Sequence, residues 1–328
     1  SIAKYSCVLS SCDKTEWIEK ICSWNSSFRN SSSCYGYVEI RLGKNVVIHK
    51  FLPYHIVTLS CFIELLRSKR YIVFLIIENL ELKEFILNDI SIKNYWNGEK
   101  LDHIDSPNSS RLNLWRIVEG KAEEYELSIH RFFSNKFPEV DFYMLKTCLA
   151  ELYYNVFDHA KAGGNAFSYI YYEEVKKIIH IAICDFGRGI AKTIRDVYKD
   201  IDNDKDALLW SLKKGISARS NTHNAGFGLD TVVSALSEKS ILRIVSNKAL
   251  LICTKKGQPV STAKAGTVEQ RERSEEGTAE SDKGSKSKLP LASCGVYQQG
   301  TFFVIASQRE QQRVATLHKE QEHQQSTQ

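Results

Sequence analysis

The sequence predicts an α/β fold, and three observations carry the prediction. Short β-branched runs alternate with helix-spaced segments between residues 35 and 90. Two longer helix-spaced stretches, 122–133 and 140–160, lead into apolar strand-like runs at 166–172 and 178–184. Hydrophobic residues make up 43% of the chain and charged residues 25%, enough apolar content for a sizeable core. A length of 328 residues suits two ordinary domains of roughly 150 residues each.

In the first part, 35–42 and 46–51 have strand composition. Residues 55–67 carry Ile56, Leu59, Phe62, Ile63 and Leu66 at helical spacing. A strand at 71–77 and a helix at 81–90 follow, before the aromatic pair Tyr95 and Trp96. That order predicts a small α/β module over residues 1–105, closed by the polar break at 105–110. In the second part, Leu145, Cys148, Leu149, Leu152 and Val156 form one stripe on the 140–160 helix. After the two strands come a helix at 206–213, a polar loop at 217–224 and a helix at 229–237. Strands are expected at 241–246, 249–253 and 300–306. Residues 255–292 contain no aromatic residue and no isoleucine, so a flexible insertion is expected there. The second domain thus spans 106–307, and a Gln-rich polar tail occupies 308–328.

Composition excludes several classes. A net charge of +5 gives no case for nucleic-acid binding. The nine cysteines are scattered, odd in number and without a C-x-x-C pair, which argues against a zinc site or a disulfide framework. Most are expected as small buried apolar residues in a reducing compartment. The most apolar stretches, 51–66 and 71–77, fall short of the roughly 20 residues that span a bilayer. No basic stretch precedes an apolar run near residue 1, so no signal peptide is expected. The expectation is a cytoplasmic protein without membrane attachment.

Three constellations could carry chemistry. Glu151, Asn155 and His159 stand at i, i+4 and i+8 along one side of a helix. A carboxylate one turn from a carboxamide could hold a water and a divalent cation beside a phosphate chain. The alternative is an ordinary polar rim. Asp185-Phe-Gly187-Arg-Gly189 ends a strand in a turn that allows close backbone approach to a ligand. It could equally be a capped glycine turn. Gly226-Phe-Gly228-Leu229-Asp230 opens a helix, where backbone N–H groups can meet an anion. Taken singly, each has a plain structural explanation. Gly187-Arg-Gly-Ile-Ala-Lys192-Thr193 misses the P-loop pattern, because Ala191 stands where glycine is required.

Their order is more telling. Glu-x-x-x-Asn on a helix, a strand ending in Asp-x-Gly-x-Gly, a polar loop closed by Gly-x-Gly-Leu and a strand with Gly300-Thr301 together resemble the GHKL ATPases. That superfamily joins the ATP sites of DNA gyrase, heat-shock chaperones, histidine kinases and mismatch-repair proteins. The resemblance covers about 122–307 and implies a Bergerat-type two-layer α/β sandwich, a mixed sheet with helices on one face. It implies ATP and Mg²⁺ as ligands, with Asn155 on the cation. Asp185 would recognise the adenine amine, supported through a water by Thr301, in a base pocket shaped by Gly187 and Gly189. Gly226 and Gly228 would bring backbone donors to the phosphates under a lid spanning 192–225, where Ser217 and Arg219 could touch the triphosphate. Glu151 would be the general base.

Within the superfamily the chain looks most like stand-alone bacterial ATP-binding regulators and anti-sigma-factor-type serine kinases. His130 is followed by Arg131, Phe132 and Phe133, which departs from the phospho-acceptor pattern of sensor histidine kinases. The first 105 residues resemble STAS-type modules in their strand–helix order. The resemblance therefore implies slow ATP hydrolysis in a regulatory protein that works with a protein partner or as a homodimer. Phosphorylation of a partner's serine and an ATP-gated module without turnover are the alternatives.

Overall fold

The computed structural model describes residues 3–31, 35–90, 92–101, 110–118, 120–138, 142–175, 178–213, 229–236, 240–247, 249–253, 259–264 and 301–308. The chain is α/β. Its first part alternates β1 (Lys4–Leu9), α1 (Lys14–Asn30), β2 (Gly36–Leu42), α2 (Pro53–Ser68) and β3 (Tyr71–Ile77). The three strands pair in parallel in the order β1-β2-β3. Asp13 caps α1 by accepting from the Glu16 amide at 2.8 Å. Trp17, Ile18, Ile21, Cys22 and Phe28 then bury its apolar side.

Neither β1 nor α1 is among the elements read from the sequence. The strand expected at 46–51 is absent. Turn hydrogen bonds occupy that stretch, from Val46 N to Gly43 O at 3.0 Å and from Phe51 N to Ile48 O at 3.0 Å. The stretch instead turns away from β2 and leads the chain into α2. The helix expected at 81–90 is a short α3 (Leu80–Glu84) continued by one wider π turn, Phe85–Asp89. A brief α4 (Ile92–Trp96) follows.

The second part begins with β4 (Trp115–Arg116), α5 (Ala122–Lys136) and α6 (Tyr143–Asn155), the last extended by a π turn at Val156–Ala160. Next come β5 (Ala166–Glu173), β6 (Ile178–Asp185), α7 (Ile190–Val197), α8 (Asp204–Ser211) and α9 (Leu229–Ser234). Strands β7 (Ile241–Ser246), β8 (Ala249–Cys253), β9 (Pro259–Lys264) and β10 (Thr301–Gln308) complete a seven-stranded sheet. Its order is β4-β5-β6-β10-β7-β8-β9, and every pairing in it is antiparallel. Parallel and antiparallel pairs therefore lie in separate sheets and not in one mixed sheet.

Strand β9 falls inside the segment expected to be a flexible insertion. An edge strand draws on backbone pairing with β8 and needs few apolar side chains, so Pro-Val-Ser-Thr-Ala-Lys can form one. The rest of that segment, the tail after Gln308 and the boundary at 105/106 lie outside the described residues.

Both faces of the large sheet are covered. On one, Ala166, Ile170, Ile181, Ile183, Ile244 and Leu251 pack with α5, α6 and α9. Tyr153 Oη meets Ser168 Oγ at 3.0 Å, and Trp115 stacks on Tyr125 with centroids 3.6 Å apart. The second face carries Phe167, Tyr169, Ala182, Cys184, Val245 and Ile252, which belong to the same cluster as the N-terminal core. Helix α2 covers it, touching β5, β6 and β10 on one side and β3 on the other. The expectation of helices on one face only is corrected accordingly. Runs such as 178–184 and 249–253 are apolar at nearly every position because both faces need burial.

Thirteen of the sixteen α2 residues are buried. Two of its hydroxyls bond within the helix, Thr58 donating to Tyr54 O at 2.7 Å and Ser60 to Ile56 O at 2.8 Å. Trp17 Nε1 donates to Thr58 Oγ1 at 3.0 Å. Burial pushes His55 down to about 3, so its ring is neutral, and it sits between Leu52 and Cys12. Of the cysteines, Cys7, Cys22, Cys61, Cys148, Cys184 and Cys253 are buried free thiols and Cys12 is half-buried. Burial pushes the Cys7 thiol up to about 12. No described helix is long and apolar enough to cross a membrane.

Because one apolar cluster runs through both parts, they are expected to unfold together. Calorimetry of the full chain should give one transition, and Phe62→Ala should lower it by about 3–5 kcal/mol without splitting it. Two separate peaks would show the parts to be independent.

A second expectation concerns α5. Glu126 is 4% exposed, and its Oε1 has no hydrogen-bond partner among the described residues. Burial raises its pKa to about 7, helped by Glu123 and opposed by Lys146. A carboxyl raised in the folded state costs nothing below its unfolded pKa of about 4.5, where both states are protonated. Stability then falls as pH rises toward about 7. Glu126→Gln should remove that slope and stabilise the protein at pH 8 by on the order of 2–3 kcal/mol. Urea titrations at pH 5 and pH 8 test both statements.

Candidate functional site

Helix α6 and the turn after β6 meet at one end of the large sheet. The helix is anchored by Cys148, Leu149, Leu152 and Tyr153, all buried among α5, α9 and the sheet. Glu151 is 8% exposed and Asn155 half-buried. One helical turn apart, they touch, with Asn155 Nδ2 donating to Glu151 O at 2.8 Å and to Glu151 Oε1 at 3.3 Å. Both contacts use Nδ2, so neither engages the amide oxygen. The π turn after Asn155 interrupts the i+8 spacing expected for His159. Lys161, at φ 50°, ends the helix in the left-handed region.

Asp185 closes β6 and is 3% exposed. The Gly187 amide donates to its Oδ1 at 2.8 Å, and the Phe186 amide donates to Asn165 O at 3.0 Å. The turn is then pressed onto the end of the α6 segment. Arg188 N donates to Ala160 O at 2.7 Å, and a Cβ at position 187 would run into that same carbonyl. Gly189 has φ 81°, a conformation that glycine adopts without strain, and it opens α7. The pairing of Asp-x-Gly-x-Gly with this position is thus steric at 187 and conformational at 189.

The sheet register sets the neighbours of Asp185. Thr301 on β10 pairs with Asp185 on one side and with Ser246 on β7 on the other. Directly opposed positions share a face, so 185, 301 and 246 form one row across three strands, on the face that carries α6 and α9. Ser246 Oγ accepts from the Ala191 amide at 3.3 Å, which ties the start of α7 to this row.

No family model, curated protein or solved structure matches the chain.

Of the residues singled out in the sequence, Glu151 and Asn155 lie together, Gly187 lies against the end of their helix, and Gly189 opens α7. Asp185 and the Thr301 position stand side by side. Gly226, Gly228, Ser217 and Arg219 lie outside the described residues. Within the span expected as a lid, α7 and α8 pack on each other through Ala191, Ile194, Ala207 and Trp210. Asn203 caps α8 by accepting from Asp206 N at 2.9 Å. Among the described residues no group of three or more His, Cys, Asp and Glu side chains could hold a metal. A hard cation that keeps waters and phosphate oxygens needs fewer protein ligands, and the Asn155 amide oxygen beside the Glu151 carboxylate suits that role.

Two residues near the turn were missed in the sequence, Ser246 and Arg29. Ser246 ends a strand just before Asn247, whose φ of 53° makes the turn to β8, and that local signal could have marked it. Arg29 lies on α1, far from Asp185 in the chain, and nothing local announces it.

Gly187→Ala is expected to displace the turn from Ala160 or to destabilise the protein by about 1–3 kcal/mol, since the obstacle is backbone and not a flexible side chain. Thermal melts of the variant measure the cost. Wild-type stability in Gly187→Ala would contradict the close approach.

Proposed function

We propose that this chain is a Mg²⁺-dependent ATP-binding protein of the GHKL type that hydrolyses ATP slowly and acts as a cytoplasmic regulator, read by a protein partner or a second copy. The observation that carries the reading is the alignment of Asp185 with position 301 at the end of the sheet, with the Gly187 turn seated on the helix that bears Glu151 and Asn155. These contacts between elements distant in sequence support the reading.

Asp185 accepts a hydrogen bond from the adenine amine. The Gly187 amide, on Asp185 Oδ1 at 2.8 Å, would orient that carboxylate toward the base. Asn155 would hold the Mg²⁺, which when bound would neutralise phosphate charge. Glu151 serves as the general base. It takes a proton from the attacking water as the new P–O bond forms at the γ-phosphorus and the bond to the β–γ bridging oxygen breaks. Its shielding from bulk water favours proton transfer at a fixed position, and Asn155 orients it.

The two side chains are expected to separate on mutation. Asn155→Ala should weaken Mg·ATP binding and turnover together. Glu151→Gln should bind Mg·ATP within a few-fold of wild type yet lose about 10²–10⁴ in rate, since a base acts in the transition state. Calorimetric titration with and without Mg²⁺, beside single-turnover hydrolysis, measures both. Binding without hydrolysis in the wild type points to the gated module, and labelled phosphate on a partner's serine points to the kinase. A wild type that binds no ATP sinks the reading.

A further inference from the structure

The N-terminal part reaches the Asp185 turn from behind. Arg29, in the last turn of α1, donates from Nη2 to the Phe186 carbonyl at 2.5 Å. Its arm is half-buried, and its Nη2 lies 3.5 Å from Asn25 Oδ1, itself on a buried residue. Lys69, just after α2, fixes the end of α1 by donating to Arg29 O at 2.7 Å and Ser31 O at 3.3 Å.

The Phe186 carbonyl and the Gly187 amide belong to a single peptide unit. A peptide is planar, so gripping its oxygen sets the direction of its N–H. That N–H donates to Asp185 Oδ1 at 2.8 Å. Arg29 therefore holds one end of a rigid plate whose other end holds the carboxylate. The charges also couple directly. Burial lowers the Arg29 pKa, and the negative charge on Asp185 offsets part of that effect. The neighbouring peptide is tied to the same part of the molecule, since the Phe186 amide donates to Asn165 O and Asn165 Nδ2 donates to Cys61 O on α2, both at 3.0 Å.

We propose that Arg29 is a positioning residue for base recognition, and that through it the N-terminal part determines how well the site distinguishes adenine from a base lacking the exocyclic amine. The proposal rests on the ATP reading above. Arg29 touches no nucleotide atom in this scheme. It acts through the 186–187 peptide on Asp185.

The test compares ATP with inosine triphosphate, in which a carbonyl oxygen replaces the adenine amine, on the full chain. Wild type should bind ATP more tightly. Arg29→Met should lose roughly tenfold in ATP affinity, the worth of a charge-assisted hydrogen bond, while inosine triphosphate affinity changes by less than about twofold. Arg29→Lys keeps the charge and one donor and should recover part of the preference. A purely structural role would lower both affinities together, or neither, and either outcome overturns the proposal. Should Arg29→Met melt below the assay temperature, Arg29→Lys and Arg29→Gln carry the same comparison. A wild type that binds neither nucleotide, or both alike, overturns the ATP-pocket reading itself and this proposal with it. That failure is visible before any variant is made.

Discussion

Burial of α2 between two sheets is the constraint from which the rest of the molecule follows. A helix apolar around nearly its whole circumference must be surrounded, and here β3 lies on one side and β5, β6 and β10 on the other. Each buried side chain of the size of Phe62 or Leu59 contributes about 2–3 kcal/mol from area alone. The few polar groups on the helix bond within it or to its immediate neighbours, so burial leaves no large desolvation cost. Glu64, near its C-terminal end, reaches the rim, where Arg116 donates to Oε1 at 2.7 Å and Tyr95 to Oε2. The two parts are therefore joined by a shared core and not by a tether.

That junction places chemistry as well as mass. Cys61 on α2 donates to the Cys184 carbonyl at 3.4 Å and accepts from Asn165, so the strand end carrying Asp185 is held from the side opposite the candidate site. On the site's own side, Ala160 and Gly187 close the gap between α6 and the turn. The turn is clamped between a helix of the second part and the N-terminal part. A ligand entering there would meet groups already fixed by packing, which lowers the ordering cost of binding.

Residues 71–77 and 178–185 form strands where β-branched and apolar runs announce them, and α5 and α6 follow their apolar stripes. Residues 46–51 carry the same β-branched composition yet make a turn, because composition alone does not supply a strand partner and the chain here passes from β2 into α2. Helix α1 is not among the elements the sequence predicts, although Asp13 and Glu16 mark its start and apolar residues recur at helical spacing after it. Strand β9 was hidden by polar composition, since its place at the sheet edge is sustained by backbone bonds to β8. The pair Glu151–Asn155 and the glycines of the Asp185 turn could be read in the sequence, because a four-residue spacing and a turn are local properties.

What lies beyond local spacing required the chain to fold. The α/β class, the helix carrying Glu151 and Asn155 and the strand ending at Asp185 were all fixed by short-range periodicity, which binds residues to their near neighbours. The row joining positions 185, 301 and 246 depends on strand register, and register is chosen by which apolar face meets which helix. The cover of α2 on the second sheet face and the grip of Arg29 on Phe186 arise from packing between segments far apart in the chain. Side-chain spacing in one segment carries no information about a partner in another. Only the burial of both against a common core brings them together.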